Sequence, residues 1–358
     1  MAYNRGMDHL TVVLPFALPP PELASDLVRA MQAPALAALL TRTRHTRRVD
    51  FDNATRLLPH EAWLAHALGL ADAPDGTSPG AGFAGAALRG FGLTPAEGAD
   101  QGCWFLVHPV HVQIARNHLL LADPRQLTLD DAESRTLFEA AKPYFDEIGK
   151  PLHYGDAHTW FVRADDWAGL RCASPDAASG QNLNAWMPEG TGAPASRKLQ
   201  NEVQMLWHEH PVNLARQERG QAPVNAFWLW GGAPAPSRPA APLFAGQVPS
   251  WMAALTEPGR RLDADACATL LSRPDGRALL VDGRLIGPGM GADWSTWLLH
   301  MQHLEQHCFA PLLAALKEGR LGQLELVLSH RDAYAQFGGS RNAQRAFWRK
   351  PTLKKLAP

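Results

Sequence analysis

The sequence predicts an α/β protein with a largely parallel sheet, and three stretches carry that expectation. At the front, the apolar run 9–18 is followed directly by helical character to residue 41. At the back, a buried-looking strand at 278–281, a long helical run at 293–318 and a clean strand at 324–329 alternate in the same way. Between them, two helices lead into the dense aromatic run 224–230, which Gly231 and Gly232 stop. Polar residues where a strand opens into a loop mark the usual ligand crevice of an α/β sheet.

Taken in order, 9–18 reads as a first strand, and the prolines at 19–21 end it and open a helix to Met31, since proline suits a first helical turn. Residues 33–41 continue as helix, and the basic stretch 42–51 reads as a loop or short strand. In 57–70, Leu57, Glu61, Leu64 and Leu68 share one face of a helix that Gly69 ends. A Pro/Gly/Ser loop at 72–82 precedes a Gly- and Ala-rich helix at 82–89. Strand character returns at 103–115, broken by Pro109, and again at 119–121. Thr128 is placed to cap a helix over 131–145, after which 152–163 reads as a strand and 172–192 as a long polar loop.

Val203, Leu206 and Trp207 fall at helical spacing in a run stopped by Pro211, and a second helix, 212–219, closes at Gly220. The Pro/Ala-rich 233–242 is a loop, 251–255 and 263–271 are short helices, and a strand lies within 277–285. The helix 293–318 carries Leu298, Met301, Leu304, Cys308, Leu312 and Leu316 as its apolar stripe, and an Arg/aromatic tail, 341–350, follows the last strand.

The 358 residues are enough for one large or two modest domains, and 46% hydrophobic with 19% charged residues is ordinary globular composition. A net charge of −1 gives no reason to expect nucleic acid as a partner, and the short basic clusters at 42–48 and 350–355 read as solvated faces. No apolar run approaches eighteen uninterrupted residues, so no membrane span is expected. The start, with Pro15 inside the apolar stretch, reads as a strand rather than a signal peptide. Four cysteines, at 103, 172, 267 and 308, form no Cys-x-x-Cys pair, which fits a reduced, cytoplasmic protein better than a disulfide scaffold.

The pattern His210-Pro211-Val212-Asn213, Arg216, Gly220, Pro223, Asn225 and Trp228-Leu229-Trp230-Gly231 resembles a segment of the archaeal-type, cofactor-independent phosphoglycerate mutases. It is closer still to the bacterial RpfE-type regulatory proteins. Arg116-Asn117 and Glu133 resemble further motif elements of that family. The resemblance implies an alkaline-phosphatase-like core, here 1–101 and 233–358, with a smaller inserted α+β domain and return segment at 102–232.

Enzymes of that superfamily need two divalent metals, Mn or Zn, held by Asp and His, and a Ser or Thr nucleophile. In the family the first metal ligand is an Asp after strand one; here 13–18 offers no carboxylate, and Asp8 precedes the strand. Near the C-terminus, Ser329-His330-Arg331-Asp332 keeps a His and an Asp in altered order. No metal cofactor is therefore expected, and Asp293, His330 and Asp332 are the remaining candidate ligands. His300, His303 and His307 share a helix face and read either as a transition-metal site or as a helix flank of hydrogen-bonded imidazoles.

Asn213, Arg216 and Asn225, with Arg116 and Asn117, are the expected ligand-binding residues, because a guanidinium can clamp a phosphate or carboxylate while amides orient it. The structural alternative has Asn213 capping a turn, Arg216 paired with Glu202 or Glu209, and Asn225 satisfying strand-end backbone. Trp207, Trp228 and Trp230 are expected in the core. The functional expectation is a catalytically degenerate, regulatory relative of the mutases, with a small phosphorylated ligand or a protein as partner. The rival is an active metal-dependent phosphoglycerate mutase or phosphohydrolase using Asp50, Asp52, Asp293, His330 and Asp332; a third reading is an interaction module acting through Phe347-Trp348-Arg349.

Overall fold

The computed structural model describes residues 7–52, 55–76, 81–93, 102–115, 118–234, 242–257, 259–262, 266–273, 276–346 and 348–357. The chain divides into two units, 1–53 with 241–358, and 54–240. The first unit opens with β1 (Met7–Leu14), α1 (Ala24–Ala30), α2 (Pro34–Thr41) and β2 (His45–Asp50). The α2 N-terminus has no capping side chain of its own. The buried Glu305 carboxylate takes that role, accepting from Ala35 N (2.6 Å) and Leu36 N (3.0 Å), which satisfies two of the orphan donors that open every helix.

The second unit holds α3 (Pro59–Ala67), α4 (Phe83–Gly90), β3 (Cys103–Val110), β4 (Val112–Ala115), β5 (His118–Leu121), α5 (Asp131–Glu147), β6 (Leu152–Asp156) and β7 (Thr159–Arg163). It finishes with α6 (Pro175–Ala178), α7 (Ala193–His208), α8 (Pro211–Glu218) and β8 (Ala226–Pro234). Its main sheet is antiparallel, in the order β6-β7-β3-β8, and β4 and β5 form a separate ribbon. Alternation along the strands sorts the faces. Phe105, Val107, Phe227 and Leu229 join the core built with α5 and α7, whereas Leu106 and Trp230 meet α4 through Gly231 and Phe83. Trp160, Trp207 and Trp230 are wholly buried. Trp207 Nε1 donates to Leu137 O and Trp160 Nε1 to Ser134 Oγ, both at 3.2 Å.

Two expectations are corrected in this unit. The segment 152–163 is a hairpin rather than one strand, because Gly155 lets the chain fold back where a Cβ would meet Thr159 O at 2.6 Å. Asp130, not Thr128, caps α5, its carboxylate accepting from Glu133 N at 2.8 Å. The 172–192 loop also contains α6, capped by Ser174.

The chain returns to the first unit with β9 (Leu243–Gly246), α9 (Ser250–Ala253), α10 (Ala266–Leu271), β10 (Arg277–Asp282), α11 (Ile286–Met290), α12 (Trp294–Leu304), α13 (Ala310–Glu318), β11 (Leu321–Ser329), β12 (Ala333–Ser340) and α14 (Arg341–Gln344). The six strands lie in the order β2-β12-β11-β1-β10-β9. The pairs β1/β10, β1/β11 and β9/β10 are parallel, and β12 and β2 add antiparallel at one edge. The fold is thus α/β with a mostly parallel mixed sheet, and the near-continuous apolar run of β1 suits its place between two parallel neighbours.

The sequence reading had no strand at 333–340, since Gly338 and Gly339 depress strand character. The expected single helix 293–318 is broken by a π turn, Glu305–Phe309, between α12 and α13. That turn carries Cys308, which is disulfide-bonded to Cys267 of α10, so the expectation of four reduced thiols is corrected for this pair. The partners lie 41 residues apart in sequence, and only the packing of α10 on the π turn brings them together. No helix among the described residues is long and apolar enough to cross a membrane.

Candidate functional site

In an open parallel sheet the crevice lies beyond the carboxyl ends of the strands. In the first unit those ends are Leu14 of β1, Gly246 of β9, Asp282 of β10 and Ser329 of β11. Three non-glycine residues among those described have a positive φ: Phe16 (60°), Gln247 (53°) and Ala292 (53°). Phe16 lies two residues past the end of β1, Gln247 follows β9 directly, and Ala292 joins α11 to α12. Such backbone is uphill by about 1–3 kcal/mol per residue and persists only where surroundings over-determine it. For Phe16 those surroundings are visible. Its N–H donates to Ser329 Oγ (3.2 Å), its carbonyl accepts from Trp297 Nε1 (2.7 Å), and its side chain lies against Gly289, where a Cβ would come within 2.7 Å.

The acid at the end of β10 is already matched. Asp282 Oδ1 accepts from Arg284 N (3.1 Å) and Nε (2.9 Å), and Oδ2 pairs with Arg284 Nη2 (2.7 Å). Both side chains are about 95% buried (5% and 4% exposed). At the end of β11 the chain turns tightly into β12. Leu18 N donates to Ser329 O (2.9 Å), His330 N to Ala333 O (2.7 Å) and Asp332 N to His330 Nδ1 (3.4 Å). Burial holds His330 below its usual range, with Asp332, 3.9 Å away, opposing that shift. Phe51 N donates to Asp332 O (2.7 Å), which brings the end of β2 to the same edge, where Asp50 pairs with Arg48 (3.2 Å).

The sheet therefore gathers Asp50, His330 and Asp332 at one edge, while Asp293 serves as the N-cap of α12, accepting from Thr296 N at 3.0 Å. Those bonds hold its carboxyl below the usual range. No group of three or more His, Cys, Asp or Glu among the described residues is arranged to hold a metal ion. His303 and His307 stack ring on ring, with centroids 4.3 Å apart. The donor set of the strand ends does not fit a two-metal centre: the β1 turn has no acid and Asp282 is matched by a guanidinium.

The central motif serves the second unit's own framework. Asn213 Nδ2 donates to Trp207 O (2.7 Å) and Val224 O (2.8 Å), and its Oδ1 accepts from Val224 N (2.8 Å). Asn225 clamps β4, accepting from Val112 N and donating to Val112 O, both at 2.7 Å. Arg216 is buried, with Nε donating to Ala222 O (2.9 Å) and Nη1 paired with Glu133, which also binds Arg219. The partner is Glu133 of α5, 83 residues away, in place of the expected Glu202 or Glu209. Arg116 and Asn117 lie outside the described residues.

A buried polar cluster in the second unit escaped the sequence reading. Glu61 of α3 accepts from Leu58 N (2.8 Å) and Ser174 Oγ (2.6 Å). Next to it Arg125 grips Asp176 through Nη1 (3.0 and 2.9 Å) and reaches Asp123 through Nη2 (2.9 Å). Burial, with help from Asp176, pushes the Glu61 carboxyl up to about 8, against the pull of its two donors. Burial drives His60 and His108 down to about 4; His108 Nδ1 lies 2.5 Å from His158 O, and Asp176 opposes the shift at both rings. The signal in the sequence was Glu61 alone on an apolar helix face.

No protein-family model matches the chain. It is 24% identical over 175 residues to the 2,3-bisphosphoglycerate-independent phosphoglycerate mutase of Methanosarcina mazei, covering 46% of this chain and 44% of that protein. It is 37% identical over 68 residues to the protein of the same name from Methanothrix thermoacetophila, covering 19% and 17%. The chain thus spans less than half the length of the curated relatives it matches. Among solved structures it is similar to a cofactor-independent phosphoglycerate mutase from Thermoplasma acidophilum (TM-score 0.48, 14% identity, 98% and 94% covered). It is also similar to the PH0037 protein from Pyrococcus horikoshii (TM-score 0.49, 13% identity, 94% and 88% covered). The sequence matches relate the chain, at low identity, to the cofactor-independent phosphoglycerate mutases.

Proposed function

We propose that this chain is a catalytically degenerate relative of the cofactor-independent phosphoglycerate mutases, of the bacterial RpfE regulatory type, that binds a ligand or partner in the cytoplasm without turning over phosphate esters. The Asp282–Arg284 ion pair carries this reading. A guanidinium occupies both oxygens of the β10 strand-end carboxylate, in a nearly solvent-free setting where a metal would have to displace it. The acid-free turn after β1 and the tight His330–Asp332 turn point the same way. The backbone strain at Phe16 and Gln247 supports a retained crevice.

Calorimetric titration of metal-stripped protein with manganese and then zinc tests this, alongside phosphoglycerate mutase and phosphatase assays. The expected result is no stoichiometric binding and no turnover; two ions per chain with turnover overturns the reading. The gathering of Asp50, His330 and Asp332 at one edge is the observation that favours the rival, a metal-dependent phosphotransferase. If turnover is seen, loss of it in Asp332→Ala assigns the activity to that edge.

A further inference from the structure

We propose that the first unit carries a second binding site, for a small hydroxylated oxyanion with a phosphate or carboxylate head, at the other end of its sheet. The basic stretch at 42–48 folds largely into the exposed edge strand β2, which among the described residues pairs only with β12. Charge on an edge strand discourages strand addition by other chains, but here it also borders a hollow. A cavity of about 240 Å³ is lined by His9, Arg44, His45, Gln323, Leu324, Glu325 and the backbone of Gly338 and Gly339. It lies near the starts of β1 and β11, with His9 five residues before the end of β1, roughly 16 Å along the strand. The site is therefore distinct from the strand-end edge.

Register explains the arrangement. Thr11, Glu325, Gly338 and His45 are direct cross-strand neighbours in one row. Gly338 has no side chain, and the His45 imidazole fills the space its Cβ would take. That seat brings His45 Nε2 to 3.8 Å from Glu325 Oε1, and Gln336 Nε2 donates to the same oxygen (3.3 Å). Half-buried His9 sits on the other side, and burial lowers its pKa against the pull of Glu325. Among the described residues the Arg44 guanidinium has no ion pair, and Arg44 lines the hollow together with His9 and His45.

That set fits an oxyanion head on Arg44 and His45, with the Glu325 carboxylate accepting from a hydroxyl of the same ligand. A hollow of that volume has room for a small ligand.

Histidine ring signals followed by NMR during titration with inorganic phosphate, and separately with lactate, against chloride at matched ionic strength, test the site. His9 and His45 are expected to shift saturably with at least one anion, and the tighter of the two names the head group. Arg44→Gln, an exposed change that leaves the core intact, is expected to weaken binding about tenfold, the equivalent of one charge-assisted hydrogen bond. Gly338→Val, which ejects the His45 ring, is expected to abolish it, while Arg320→Gln, outside the hollow, leaves it unchanged. Shifts no larger than those in chloride, or binding that Arg44→Gln leaves intact, overturn the proposal.

Discussion

Replacing Glu61 by glutamine tests whether the second unit folds around a protonated carboxyl. The folded value of about 8 lies above the unfolded 4.5, so the folded chain keeps a proton that the unfolded chain releases between those limits. Stability then falls as pH rises through that window, by about 1 kcal/mol per unit. His60 and His108 act in the opposite sense. Their folded values near 4 lie below the unfolded 6.5, so stability gained above pH 6.5 is lost as pH falls toward 4. Between pH 4.5 and 6.5 two imidazoles outweigh one carboxyl, and above 6.5 only the carboxyl remains, so these groups place the optimum near pH 6.5. The substituted amide keeps an acceptor for Leu58 N and Ser174 Oγ but has no proton to lose. The wild type is expected to lose about 2 kcal/mol between roughly pH 6.5 and 8, and Glu61→Gln to show a flat alkaline limb. Urea midpoints read by tryptophan fluorescence from about pH 5 to about 8.5, a range that covers the optimum and the alkaline limb, supply the measurement. An alkaline slope equal in the two proteins refutes the reasoning, because Glu61 would then be ionised in the folded chain.

Asn213→Ala removes three buried hydrogen bonds and strands the Val224 backbone; a loss of about 3 kcal/mol in chemical denaturation is expected, and a loss under about 1 kcal/mol would contradict the framework role. Arg284→Met leaves Asp282 buried and unpaired and is expected to cost about 3–5 kcal/mol, whereas Asp282→Asn with Arg284→Met recovers most of it; equal melting points for the single and double variants would contradict this. Reducing the Cys267–Cys308 bond, which closes a 41-residue separation, is expected to lower stability by about 4 kcal/mol on the chain-entropy account. Urea melts with and without dithiothreitol measure it, and Cys267→Ser abolishes the difference. If the protein resides in the cytoplasm, alkylation at the moment of lysis finds this pair largely reduced.

The residues that announce themselves locally were read correctly. The apolar strand β1, the aromatic strand β8, the helices α7 and α8 and the core tryptophans all follow from periodicity, proline and glycine placement. The missed elements have weak local signals. β12 contains two adjacent glycines that a sheet tolerates because His45 fills the space beside one of them. The π turn at Glu305–Phe309 is invisible to a helical repeat that stays apolar on either side of it. Arg216 was identified as important without its partner, since no local rule links it to a glutamate 83 residues earlier.

By itself the sequence determined the α/β class, most of the helices and strands, the buried aromatic framework and the absence of an acid after β1, because each depends on neighbours a few residues away. Only the tertiary structure decided that Asp282 is held by Arg284 out of contact with water and that Phe16 is held at a positive φ between Ser329 and Trp297. It also decided that Glu61 is sealed beside Asp176, and that His9, Glu325 and His45 meet across the sheet. These features depend on desolvation and on contacts between residues far apart in the chain, and neither quantity exists until the sheet and its helices are packed.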